Sequence, residues 1–199
     1  MPLFALGLAG PATAEVFTVA NTGLNRVSFE SEAPFETITG VSTATEGRFE
    51  LALAAPGSVK GKVKVPVRSL GTGNATRDEH LAQPQWLDAS AHPDITLELE
   101  GAEFSGDAKL APGAKLQGTV KGKLSIRGKT KSISAPVIVS YHAGSDKLAA
   151  LGIAGDVLRV KARFDVALAD FGVVPPGHLA GVKVADTVQI EVNLTATKE

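Results

Sequence analysis

The run Arg77-Asp78-Glu79-His80, with Asp88 shortly after it, gathers carboxylates and an imidazole over a few residues. Such side chains bind divalent metals and activate water, so a metal-dependent hydrolase is one reading. Spacing works against it. Neighbouring residues on a helix diverge by about 100°, which keeps Asp78, Glu79 and His80 from facing one ion together. The chain also has no H-E-x-x-H, G-x-S-x-G or EF-hand pattern. The same residues read as a helix start. Thr76-Arg77-Asp78-Glu79 fits a capping box, Thr76 accepting from the backbone at Glu79 and Glu79 reaching back. An acidic first turn suits the helix dipole. His142 and His178 stand isolated, as loop residues do. No catalytic or metal-ligating residue is assigned.

The elements that must carry these residues are β-strands. At 199 residues the chain suits a single domain. Net charge is -1, without the basic surplus of a nucleic-acid binder. Cysteine is absent, which excludes disulfides, thiol catalysis and a lipid-modified cysteine anchor. Pro2 to Gly10 are almost wholly apolar, and Ala12-Thr13-Ala14 gives a small-x-small cleavage pattern before Glu15. Residues 1–14 therefore read as a signal peptide, and 15–199 as one exported domain. The segment lacks the usual positive start, so either the true start lies upstream of Met1 or this is an apolar N-terminal strand. No later stretch approaches the ~20 apolar residues needed to span a bilayer.

Beyond residue 20 the pattern is strict alternation. Val59, Gly61, Val63, Val65 and Val67 oppose Lys60, Lys62, Lys64 and Arg68. Leu116 to Ile126 and Leu158 to Leu168 repeat it, as do sets near Val27, Phe49, Ile95, Ile133 and Val184. About eight strands follow, each with one dry and one wet face, which means antiparallel sheet. Their length favours a closed barrel, since closure removes exposed edges. The Lys- and Glu-rich wet faces and few aromatics argue against an outer-membrane barrel. Thr72 to Asp94 breaks the pattern. A short helix there should end near Pro84, with Trp86 and Leu87 docking on the barrel. So long a connection usually has a job, such as a lid.

Three stretches carry a resemblance. Arg77-Asp78-Glu79-His80-Leu81 with Trp86-Leu87-Asp88-Ala89 and Pro93-Asp94-Ile95-Thr96-Leu97 is the first. Gly122-Lys123-Leu124-Ser125-Ile126-Arg127-Gly128-Lys129-Thr130-Lys131 is the second, and Asp170-Phe171-Gly172-Val173 the third. Together, from about Val27 to the end, the chain resembles the YceI-like family of lipid-binding proteins. The resemblance implies an all-β, lipocalin-like, eight-stranded antiparallel β-barrel with a short helical lid segment. It implies a long isoprenoid, quinone-like or fatty-amide chain held in an internal tunnel, no catalytic residues, and no cofactor besides that lipid. It also implies a periplasmic or secreted location, with a homodimer left open because some members are dimers.

The residues support a tunnel. Gly61, Gly118, Gly122, Ala135 and Ala162 all fall on the apolar parity of their strands. Small inward residues leave room, or else mark bends that curl the sheet. The lining expected from alternation and resemblance is Phe29, Phe35, Ile38, Val63, Leu81, Trp86, Leu87, Ile95, Leu97, Gly118, Gly122, Leu124, Val137, Ala162, Phe164 and Phe171. The alternative is an exported structural or stress-related barrel without a stable ligand. The stripes Lys60, Lys62, Lys64, Arg68 and Arg159, Lys161, Arg163 read as wet strand faces, or as a transient contact with an anionic membrane. Asn74-Ala-Thr76 and Asn193-Leu-Thr195 match the glycosylation sequon by chance composition.

Overall fold

The computed structural model describes residues 13–20 and 23–199, so of the segment 1–14 only Thr13 and Ala14 are described. Alternating stretches become strands because only an extended backbone sends successive side chains to opposite faces. Among the described residues there are ten: β1 Ala14–Val19, β2 Arg26–Ala33, β3 Glu36–Ser42, β4 Glu46–Ala52, β5 Ala55–Pro66, β6 Asp94–Phe104, β7 Lys115–Ile126, β8 Lys129–His142, β9 Val157–Ala167 and β10 Thr187–Lys198. They make eight staves. β2 and β1 lie end to end along one edge of β10, and β3 and β4 lie end to end along β2 and β1. β1 bonds both β10 and β4, and so closes the ring. The result is an eight-stranded antiparallel barrel whose first two staves are each broken once.

Eight staves agree with the count expected from alternation, but the alternation did not reveal β1 or β3. In β1 the outward position holds Val16, so polar and apolar residues do not alternate. In β3 only Ile38 marks the inner face clearly, because the next inward position is Gly40. The ring of Phe29, paired directly opposite, lies over that glycine and supplies the missing bulk. A second such pair is Phe104 over Gly118, while at Gly61 the backbone and Cβ of the paired Phe49 leave no room for a side chain. Both ring pairs put an aromatic ring where a neighbouring strand lacks a side chain. Gly61 in β5 and Gly101 in β6, with φ of 148° and 150°, each lie in a strand that pairs with one neighbour across a register shift, β5 with β4 and β6 with β7. The shift at Gly101 carries Ala102 and Phe104 onto the inner face.

One end of the barrel is floored. Leu110 is buried there, its N–H donating to the Leu53 carbonyl at 2.8 Å. A loop containing the short helix Asp146–Ala149 is pinned by Tyr141, whose hydroxyl donates to Asp156 Oδ2 at 2.6 Å. Tyr141 is pushed up to about 12, by burial first and then by this carboxylate, while Asp156 is held below its ordinary value mainly by the same hydrogen bond.

At the other end β5 ends at Pro66 and the outer edge of β3 is bridged only at Val41, by Gly71, leaving a mouth. Helix α1, Ala75–Leu81, crosses it. Its cap differs from the expected box: Asn74, extended, accepts from the Arg77 N–H at 3.2 Å, and Thr76 lies inside the helix. Asp78 explains the earlier start. Its Oδ1 accepts from the Thr72 N–H at 2.7 Å and the Thr72 hydroxyl at 2.6 Å, folding the approach back onto the helix.

Candidate functional site

The interior is not filled. Ile95, Leu97, Val160, Ala162, Phe164, Ile190 and Val192 sit on the inner parity of their strands, yet each is only half-buried. Side chains facing inward from a closed, packed barrel would be buried, so their accessible surface faces an internal space. That space has two chambers. The outer, under α1, holds about 400 Å³, and the inner, towards the floor, about 160 Å³. Val27, Val65, Ile95, Leu124, Phe164 and Ile190 line both, which joins them into one tunnel.

The three sequence stretches singled out above converge on the tunnel's mouth. Arg127, in the β7–β8 turn, donates to the carbonyl of Gly172 and to that of Pro84, the latter at 2.6 Å. One guanidinium thus ties the lid segment to the 172–186 loop. Lys131 pairs with Asp170 at 3.1 Å beside it. Phe171, buried at the end of a 3₁₀ turn, points into the outer chamber. Gly172 is required here. Its φ is 69°, and a Cβ would lie 2.7 Å from Lys129 Nζ.

Polar groups are confined to the rim. Arg77 Nη1 donates to Glu36 Oε1 at 2.6 Å, and Arg77 Nε donates to Thr72 Oγ1 at 3.0 Å. Lys183 Nζ lies 4.0 Å from Glu36 Oε2. The Arg77–Glu36 pair fastens the lid to β3, whose outer edge is otherwise bridged only at Val41, by Gly71. Asn74, Thr76 and His80 complete this collar. The inner chamber is lined by apolar residues alone.

Of the expected lining, Phe29, Ile38, Leu81, Trp86, Leu87 and Phe171 line the outer chamber, and Val63, Leu97, Val137 and Ala162 the inner. Ile95, Leu124 and Phe164 line both. Three residues lie elsewhere. Phe35 occupies the tight turn between β2 and β3 and is 80% exposed. Gly118 and Gly122 stand on the inner parity, but the Phe104 ring covers one and Leu97 crowds the other. The small residues therefore divide: the glycines shape and pack the wall, while Ala135 and Ala162 border the space. Val27 and Ile190 also line it and shared the parity of Phe29 and Val188, a signal that could have found them. Leu179 and Lys183 come from an irregular loop with no periodicity to read, and Val184, which the alternation put in the last strand, lies in that same loop before β10 begins at Thr187.

Asp78, Glu79, His80 and Asp88 do not converge. Asp88 braces its own loop, accepting from the Ser90 hydroxyl at 2.9 Å, as Asp78 does at Thr72. Among the described residues no three His, Asp or Glu side chains gather as a metal site would require. The basic stripes lie on the outer wall and are largely engaged: Lys64 pairs with Glu46 at 2.9 Å, Lys62 with Glu98 at 3.8 Å, and Arg163 with Gln189.

The chain matches the YceI-like domain over residues 18–196. A UPF0312 protein of Pseudomonas fluorescens is 32% identical over 133 residues, covering 66% of this chain and 64% of the relative. Another, of Pseudomonas putida, is 25% identical over 197 residues, covering 98% and 93%. The crystal structure of BcnA from Burkholderia cenocepacia superposes with a TM-score of 0.69 at 22% identity, over 90% of this chain and 99% of that one. A polyisoprenoid binding domain from Saccharophagus degradans, implicated in plant cell wall breakdown, superposes with a TM-score of 0.67 at 14% identity, over 94% and 100%. With the closed eight-stave barrel and the family model spanning nearly all of it, the chain belongs to the YceI-like family.

Proposed function

We propose that this protein is a binding protein, not an enzyme, that holds a long apolar lipid chain inside its barrel as an exported carrier or store. The observation that carries the reading is the joined, apolar tunnel. An empty apolar void is not neutral: at ~24 cal/mol per Å³, the 160 Å³ inner chamber alone forfeits roughly 4 kcal/mol of packing. A ligand restores it. One isoprene unit buries on the order of 100 Å², contributing roughly 2.5 kcal/mol gross at ~25 cal/mol per Å². A few units outweigh the ordering cost of one chain. The polyisoprenoid binding described for the Saccharophagus degradans domain supports the same ligand class.

The distribution of polarity sets the orientation. The tail enters the dry inner chamber, and the head stays at the collar of Glu36, Arg77, His80 and Lys183, where hydrogen bonds replace water. Fit of the tail supplies most of the affinity. Export to the periplasm or the medium follows from the segment ending at Ala14. Trp86 is the single tryptophan and lines the outer chamber. Titration with a detergent-solubilised long-chain isoprenoid should therefore blue-shift or quench its fluorescence to saturation. An unchanged spectrum would remove the tail from this chamber.

A further inference from the structure

Five large apolar side chains stand exposed among the described residues: Leu24, Phe35, Leu151, Val174 and Val182. Scattered singly they would need no explanation. Three of them are not scattered. Val174 and Val182 belong to the 172–186 loop that frames the mouth, and the Phe35 N–H donates to the Val182 carbonyl at 3.1 Å. Their exposures are 80% for Phe35, 71% for Val174 and 39% for Val182. Each adjoins residues of the tunnel's mouth: Glu36 beside Phe35, Val173 beside Val174, Lys183 beside Val182. Phe35 therefore has no place in the tunnel and a conspicuous place on its rim.

Charge is arranged around these side chains. Asp170 is paired with Lys131, and Glu36 with Arg77. Arg127 spends its guanidinium on two carbonyls, which leaves its charge uncompensated, and Lys129 has no carboxylate within ion-pair distance among the described residues. Glu36 is shared between Arg77 at 2.6 Å and Lys183 at 4.0 Å, so that cluster too carries one positive charge in excess.

We infer that this rim, with Phe35 at its tip, is a docking surface for an anionic lipid bilayer. The inference rests on the lipid-tunnel reading. A chain that fills the tunnel dissolves too poorly in water to cross it freely, so it must pass from a bilayer into the mouth. An aromatic and two valines around that opening, inserted at the headgroup level, keep the passage dry. The basic groups beside them meet the anionic surface. This replaces the outer-wall lysine stripes as the membrane-facing element, since those are engaged with neighbouring strands.

The test is flotation of the full chain with vesicles of phosphatidylcholine mixed with phosphatidylglycerol, beside Phe35→Ser and Val182→Ser. Phe35 lies outside the tunnel, so Phe35→Ser should keep the wild-type unfolding temperature and the Trp86 response to detergent-solubilised isoprenoid. Its partitioning onto vesicles should fall about tenfold or more. Wild-type protein that fails to float, or a Phe35→Ser variant that floats equally well, would overturn the inference while the Trp86 titration still judges the tunnel. A wild-type dimer that Phe35→Ser converts to monomer would also overturn it, making the occupant a second copy of this chain.

Discussion

Ala162→Leu separates a space kept open from a core that merely looks loose. Ala162 lies between Val160 and Phe164 on β9, is paired with Val137 and Val192, and borders the inner chamber. Leucine adds three carbons. If they enter empty space, burial contributes roughly 2.4 kcal/mol at ~0.8 kcal/mol per carbon. Ordering the new side chain removes about 0.5–1 kcal/mol, leaving about 1.5–2 kcal/mol of stabilisation. For a domain of this size that raises the unfolding midpoint by about 3–8 °C. A packed core would respond with the opposite sign, losing about 1–3 kcal/mol to overpacking. The assay is thermal unfolding of delipidated wild type and variant, beside the lipid content of each as purified. The variant should be more stable when empty and should lose its bound chain or retain a shorter one. Destabilisation with lipid content unchanged would refute the reasoning.

Gly118→Ala should do the reverse: its Cβ would run into the Glu103 carbonyl and the Phe104 ring, costing about 1–3 kcal/mol in denaturant unfolding while lipid content per folded protein stays the same. Tyr141 is the single tyrosine, so near-ultraviolet absorbance reports its ionisation alone; the midpoint should lie near 12 in the folded protein. A raised phenol pKa stabilises the fold fully below the ordinary value of 10 and loses that contribution as pH climbs from 10 towards 12, so alkaline unfolding of Tyr141→Phe should be flatter across that window. Asp156 acts at the other end of the scale, contributing above its ordinary value and losing the contribution as pH falls through its lowered one. Exported protein should begin at Glu15 on N-terminal sequencing, and intact protein retained in the cytoplasm would refute the signal reading.

The long staves were legible because one face is wet and one dry, and parity alone placed Ile95, Leu97, Leu124, Ala162 and Phe164 around the interior. Parity could not say whether an inward glycine makes room. That depends on the residue paired across the sheet, and Phe104 opposite Gly118 takes the room away. Register is a tertiary property, so this was hidden, as was β3, whose inner face is finished by Phe29 from β2. Phe35 misled in another way. A phenylalanine beside a strand looks like core, but a tight turn projects it from the barrel. The capping box at Thr76 was sound local chemistry overruled by Asp78, which binds Thr72 and lets Asn74 cap instead. The collar of Glu36, Arg77 and Lys183 joins a strand, a helix and an irregular loop, and no spacing in the sequence announces it.

The central claim is that the tunnel holds a long apolar chain. It is tested most directly by mass spectrometry of an organic extract from protein purified out of its native host without detergent. The account predicts one dominant long-chain lipid at near-stoichiometric yield, absent from an extract of the Ala162→Leu variant or present there as a shorter species. An extract with no enriched lipid, from protein whose empty barrel neither shifts nor quenches Trp86 when isoprenoid is added, would contradict it.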